Sequence, residues 1–256
     1  MRIVDIINPY HLHLAEWLLV FFCGFFLGIS KTGITGAGLV VVPTMAAIFG
    51  GRVSTGILLP MLIMTDIFAL LYYHRYADWH YIGKLLPWVF AGIVVAMFIG
   101  KYISDTAFKQ LLATLVLAGL FLLVWQDIKK KVMEVPDTRF FAASTGFAGG
   151  FSSMIANASN PVMAIYLLAM RLPKNVFIGT AAWFFGIMNF SKLPVHIFYW
   201  KTISLQSILF NLTALPSIIV GVLSGIYIVK KIPEHIYRIV VIVTTLLSSC
   251  VMIFRT

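Results

Sequence analysis

Gly28-Ile29-Ser30-Lys31-Thr32-Gly33-Ile34-Thr35-Gly36-Ala37-Gly38 is a polar, glycine-rich break inside one long apolar stretch. Ala156-Asn157-Ala158-Ser159-Asn160-Pro161 is a second break in the other half of the chain. Almost everything outside them reads as lipid-facing helix. The two breaks therefore decide the fold: an all-α polytopic membrane protein of two related halves, each opening on a broken helix. Irregular backbone at membrane depth is tolerated only against protein or a wet cavity. One such break per half is the usual signature of a ligand site at the interface of two repeats.

The composition sets the frame. Of 256 residues, 61% are apolar and 11% charged, with 21 Phe, 10 Tyr and 6 Trp. Mean hydropathy is +0.97. A water-soluble fold cannot hide that much apolar surface, so lipid must cover it. The longest polar interval, Asp127 to Arg139, has the length of a linker. Net charge is +10, but the basic residues stand singly or in short clusters between apolar runs. That is a positive-inside pattern rather than a nucleic-acid surface. The opening Met1-Arg2-Ile3-Val4-Asp5 lacks a compact signal-peptide design, so the first apolar run reads as a retained helix. Cys23 and Cys250 lie in apolar runs and fit neither a disulfide framework nor a metal motif. No cofactor is implied, and no phosphate-binding loop suggests built-in ATP coupling.

Five apolar segments fall in each half. They are about 14–30, 34–49, 54–74, 82–99 and 106–126, then 139–155, 161–170, 176–199, 205–229 and 235–254. Residues 1–126 form a first repeat, 127–138 a cytoplasmic linker and 139–256 a second repeat. The first two segments of each half are short for a crossing of roughly 20 residues. They pair as a broken helix or a re-entrant hairpin, followed by three spanning helices. If every segment reverses the chain, Lys31, Arg75, Lys84, Lys129–Lys131, Arg139, Arg171, Lys174, Lys230, Lys231 and Arg238 share one side. That asymmetry places the linker in the cytoplasm.

The halves resemble each other. Setting Pro43 on Pro161 puts Gly28 on Gly146, and Gly56 and Asp66 fall opposite Gly179 and Asn189. Lys101-Tyr102-Ile103-Ser104-Asp105-Thr106-Ala107-Phe108-Lys109 matches Lys230-Lys231-Ile232-Pro233-Glu234-His235-Ile236-Tyr237-Arg238 in basic, apolar, acidic and aromatic spacing. Five reversals per half would make the repeats inverted, and four would make them parallel. The charge bias favours inversion.

In the first break, glycines let backbone approach a ligand. A helix beginning near Gly36 would aim free N–H groups into the break. Lys31, Ser30, Thr32 and Thr35 add donors, and together they favour a small anion. The competing reading is that Lys31 caps a short helix and snorkels to the head groups. The second break offers Ser152, Ser153, Asn157, Ser159 and Asn160, whose amides can donate to oxyanions. Asp66, Asn189 and Lys192 sit within apolar spans, where an ionisable group is a functional candidate. Asn189 and Lys192 share a helix face. Asp66 reads as a proton carrier, a salt-bridge partner of a lysine or a cation ligand. His74 and His80 read as interfacial anchors, and His196 as a structural histidine.

The segment Gly28 to Pro43 resembles the first signature of the sulfite exporter TauE/SafE family, also called the toluene-sulfonate uptake permease family. The usual glycine triplet is here Gly36-Ala37-Gly38. Gly146-Phe147-Ala148-Gly149-Gly150, Ala156-Asn157, Pro161 and Phe177-Ile178-Gly179-Thr180 look like its second half. The resemblance implies a small multi-pass permease of two related halves that carries sulfite, sulfonates, sulfoacetate or similar anions. It supplies no catalytic residues.

The expectation is a secondary transporter of a small organic or sulfur-containing anion in a cell membrane, the inner membrane in a bacterium. Lys31, Thr32, Thr35 and Gly36 would hold one part of the anion. Asn157, Ser159, Asn160 and Lys192 would complete the pocket, and Asp66 and Asn189 would each serve proton coupling or ion pairing. Lipid, the anion and a coupling proton or other ion are the expected partners, with no nucleic acid; homo-oligomerisation stays open. An anion channel is the alternative. A membrane enzyme is disfavoured, because no nucleophile has a base beside it.

Overall fold

The computed structural model describes residues 9–34, 38, 40–99, 102 and 138–254, apart from the side chains of 51, 52 and 245–254. No strand occurs among them. Helix α1 spans Leu14–Thr32, α2 Val41–Phe49, α3 Gly51–Tyr73 and α4 Trp79–Ile99. In the second half α5 spans Arg139–Ala156, α6 Asn160–Ala169 and α7 Lys174–Pro194. A short π-helix, Val195–Tyr199, extends α7, and α8 Leu205–Thr213, α9 Leu215–Lys231 and α10 Glu234–Phe254 complete the chain. The expected segment 106–126 and all but the last residue of the 127–138 linker lie outside the described residues.

Among the described residues, four stretches are long and apolar enough to cross a bilayer singly: Leu14–Thr32, Val53–Tyr76, Trp79–Ile99 and Lys174–Tyr199. The expected single segment 205–229 is instead two helices, α8 and α9, bent by 53° at Ala214. Pro216 in the first turn of α9 explains the break, because proline suits a helix start and not its interior. Taken as one broken span, the pair makes a fifth crossing among the described residues. α2 and α6 rise only about 15 Å, half the hydrocarbon thickness, so neither crosses alone. The helix after the first break begins at Val41, one turn later than the glycine pattern suggests.

Two glycine seams hold the halves together. On α1, a Cβ at Gly28 would stand 2.5 Å from the Ile218 carbonyl oxygen, and one at Gly221 of α9 2.1 Å from that of Phe25. On α4, a Cβ at Gly92 would stand 2.2 Å from the Phe147 oxygen, and one at Gly150 of α5 2.1 Å from that of Val89. Only glycine lets two helix backbones approach so closely. Each half thus lends its first helix to the other half's later helix: α1 packs on α9, and α5 on α4.

The two seams match each other in a register one helical turn away from the sequence alignment that sets Gly28 on Gly146. Gly24 meets Ala214 and Ser217 as Gly146 meets Leu85 and Trp88, and Gly28 meets Ile218 as Gly150 meets Val89. Gly24, not Gly28, is therefore the counterpart of Gly146. The extra residues fall between the glycines of the first break and Pro43, where side-chain pattern gives no register.

α3 and α7 run antiparallel. Gly56 meets Thr202, Asp66 meets Asn189, Gly186 meets Leu70, and Gly179 meets Tyr73 and Tyr76. One end of the molecule gathers Tyr76, Lys174, the end of α9 and the start of α10. There the Lys174 ammonium donates to the Val229 and Ile232 carbonyls, and Arg238 donates to the Leu168 carbonyl. Arg75, Arg171, Lys174, Lys230, Lys231 and Arg238 thus share one end, while Lys201 lies at the other.

Candidate functional site

The site is built where α1 and α5 stop. α1 ends at Thr32 with Ser30, Lys31 and Thr32 all buried. Its counterpart α5 ends at Ala156, and Asn157 turns the chain in a left-handed conformation at φ 53. Asparagine tolerates that region better than most residues. α6 then starts at Asn160 with Pro161 in its first turn.

Lys31 does not snorkel. Its side chain is 5% exposed and its Nζ lies 2.9 Å from the Asp66 carboxylate, whose residue is wholly buried. The same ammonium sits 3.8 Å from the centroid of the Phe185 ring, a favourable cation–π contact in a dry setting. Asp66 thus has a lysine as its ion-pair partner. Its other oxygen accepts from the Asn189 amide at 2.5 Å. Asp66 and Asn189, which fall opposite each other when the halves are aligned in sequence, are thus in direct contact.

Lys192, 0% exposed, forms a second cluster. Its Nζ donates to the Ser153 carbonyl at 3.2 Å, the Ser153 hydroxyl at 2.8 Å and the Asn157 side-chain oxygen at 2.7 Å. Three acceptors match the three protons of an ammonium. The Asn157 amide in turn donates to the Thr55 carbonyl of α3, tying the second break to the first half. Lys192, Lys31 and Asp66 interact electrostatically with one another.

The remaining expected residues divide. Thr32 is turned to the seam, where its hydroxyl donates to the carbonyls of Gly28 and Val222. Thr35 and Gly36 lie outside the described residues. Ser159 is 3% exposed, and neither its hydroxyl nor the Asn160 amide has a hydrogen-bond partner among the described residues. Asn160 lines a cavity with Ser30, Lys31, Phe185 and Tyr237. A Cβ at Gly38 would stand 2.9 Å from the Ser30 hydroxyl and 3.6 Å from the Asn160 nitrogen, so the two breaks meet tip to tip. The cavity volume is ≈ 10 Å³, room for about one water.

Ser153 and Phe185 escaped the sequence reading as ligands of the lysines. Ser153 was visible as one of several break hydroxyls. Phe185 carried no signal in so aromatic a chain. His196, expected as structural, is buried and pairs through Nδ1 with the Thr202 hydroxyl at 2.8 Å. No group of His, Cys, Asp and Glu that would hold a metal occurs among the described residues.

A family model described as "Sulfite exporter TauE/SafE" matches residues 20–252. The chain belongs to the sulfite exporter TauE/SafE family. No curated protein and no solved structure matches it. Membership makes the chain a multi-pass membrane transporter of the sulfite exporter class, and both breaks lie inside the matched region.

Proposed function

We propose that this TauE/SafE member is a secondary transporter of a small sulfur-containing or organic oxyanion, bound between the two breaks. One observation carries the reading. Among the described residues, the charged side chains buried in the protein are Lys31, Lys192 and Asp66. Two cations face one carboxylate. An uncompensated charge in a low-dielectric interior is costly, and a bound monoanion offsets it. Ser159 and Asn160 supply donors that no described residue takes up. Lys31 would exchange part of its contact with Asp66 for the substrate.

The repeats are read as inverted. Paired helices α3 and α7 are antiparallel, while each seam joins parallel helices, and both facts fit a two-fold axis in the membrane plane. Inverted repeats allow one half to rock against the other around a fixed site. The cavity between the breaks is smaller than a tetrahedral oxyanion, so loading requires the tips at Gly38 and Asn160 to part. The basic end is assigned to the cytoplasm. The inside-negative potential then drives anion export, while accumulation needs a coupled ion. Asp66 is the proposed proton carrier.

Uptake of labelled sulfite and sulfoacetate into proteoliposomes tests this, with imposed pH gradient and potential. Saturable uptake that Lys31→Ala abolishes in folded protein is the expected outcome. Absence of uptake under every gradient sinks the substrate class. PH-driven flux that Asp66→Asn leaves unchanged sinks the proton role alone.

A further inference from the structure

A second polar cavity, ≈ 280 Å³ in volume, lies at the basic end and shares no residue with the lysine network. Tyr72, Tyr73 and Tyr76 at the end of α3, Lys174 and Asn175 at the start of α7, and Lys230 at the end of α9 line it. We propose that this cavity binds a tetrahedral oxyanion, either the phosphate of a lipid headgroup or a free ion of the same chemistry.

The lining residues carry donors and no carboxylate. Lys230 is exposed, sits 5.2 Å from the Tyr72 ring centroid and makes no ion pair among the described residues. Tyr73 is 2% exposed, and its hydroxyl has no hydrogen-bond partner among the described residues. That oxygen is not sealed off by protein, so it opens on the cavity, where a ligand or water takes its hydrogen bond. Lys174 spends two of its ammonium protons on the Val229 and Ile232 carbonyls, which leaves one. The acid at this end is already occupied: Glu234 accepts from the Lys174 backbone N–H at 2.6 Å. That carboxylate caps the start of α7, so the oxyanion rests on side-chain donors rather than on the helix end. The contact between Lys230 and Tyr72 holds the ammonium at the rim, where incoming anions first meet it.

The position suits either source. Basic pockets between helices at the cytoplasmic interface attract anionic head groups, and a volume near 300 Å³ suits a small ligand.

The full-length protein in neutral detergent tests the site by two readouts. Thermal unfolding is followed against inorganic phosphate, with sodium chloride at matched ionic strength as reference. Retained phospholipid is measured after reconstitution with mixed phosphatidylglycerol and phosphatidylcholine and re-extraction. Lys230→Gln and Tyr73→Phe each keep the shape of the residue, and each should weaken binding by about tenfold or more. Phosphatidylglycerol retained selectively by the unsubstituted protein and lost by both variants supports a headgroup site. A saturable rise in unfolding temperature with phosphate, again lost in the variants, supports a soluble anion. Binding of neither, or equal binding to a Lys230→Gln/Tyr73→Phe double variant that unfolds at the unliganded temperature, overturns the proposal. None of these readouts depends on transport through Lys31.

Discussion

The two breaks occupy matching places in the two halves but hold their lysines differently. Lys31 leans on a carboxylate and an aromatic face, whereas Lys192 leans on a serine and an asparagine. In the register set by the glycine seams Lys31 falls opposite Ser153, and in the alignment of Gly56 on Gly179 Asp66 falls opposite Asn189. Lys192 corresponds to Ala69. The first half thus keeps a matched ion pair, and the second keeps neutral groups with one added cation. The difference places the unmatched cation, Lys192, in the second half; on the proposed function the anion's charge would be answered there.

The comparison breaks most sharply at the ion pair. Lys31→Met strands the Asp66 carboxylate in the interior and should cost about 3–5 kcal/mol, read as a lowered unfolding temperature in neutral detergent. The double substitution Lys31→Met/Asp66→Leu removes both charges and should recover most of that stability while leaving transport abolished. A double variant as unstable as the single one would show that the pair is not what holds these helices.

A smaller effect tests whether the two seams are equivalent. Gly28→Val on α1 and Gly150→Val on α5 each drive a side chain into facing backbone, at 2.5 Å and 2.1 Å already for the Cβ. Both should lose about 3 kcal/mol, the upper part of the overpacking range. Gly149→Ala, whose Cβ would meet Val162 at an ordinary 3.9 Å, should show no such loss and instead gain roughly 0.5–1 kcal/mol from helix propensity. Unequal costs at Gly28 and Gly150 would mean that the frame, as well as the charge, has diverged.

Much of this frame was legible in the sequence because lipid enforces it. Apolar runs must be helices, so α1, α3, α4, α5 and α7 fall close to their expected ranges. The breaks stood out because Lys31 and Asn157 interrupt such runs, and a lysine was among the expected partners of Asp66; matching the halves set Asn189 opposite Asp66 but gave no sign that the two touch. What stayed hidden depends on packing across distant segments. The split at Ala214 looked continuous because α8 and α9 are both apolar. The true counterpart of Gly146 needed the seam, since glycines one turn apart serve the same pattern equally well. Thr32 resembled a ligand donor by position, but its rotamer turns it to Val222, a residue that no local pattern connects to it.

Lys192 sharpens the comparison from the other side. Lys192→Met removes the donor that satisfies Asn157 and Ser153 and should cost about 1–2 kcal/mol, less than the loss of Lys31, because the groups left behind are neutral. The functional effect runs the opposite way to the stability effect. If the unmatched cation is what the anion answers, this variant should lose anion uptake by at least about tenfold while remaining the better folded of the two lysine variants. Uptake that survives Lys192→Met would move the anion's counter-charge to Lys31 alone.

The smallest expected change lies away from both breaks. Gly83 sits in the first turns of α4, and a Cβ there meets nothing within 4 Å. Unlike the seam glycines, it has neither a close neighbour nor a left-handed φ to justify it. Gly83→Ala should therefore act only through backbone entropy and helix propensity, stabilising the protein by roughly 0.5–1 kcal/mol. A rise in unfolding temperature with unchanged uptake would separate glycines that merely occur in a helix from those at Gly28 and Gly150, where the approach of two backbones requires them. A fall instead would reveal a partner for this face of α4, supplied by a second copy or by residues outside those described.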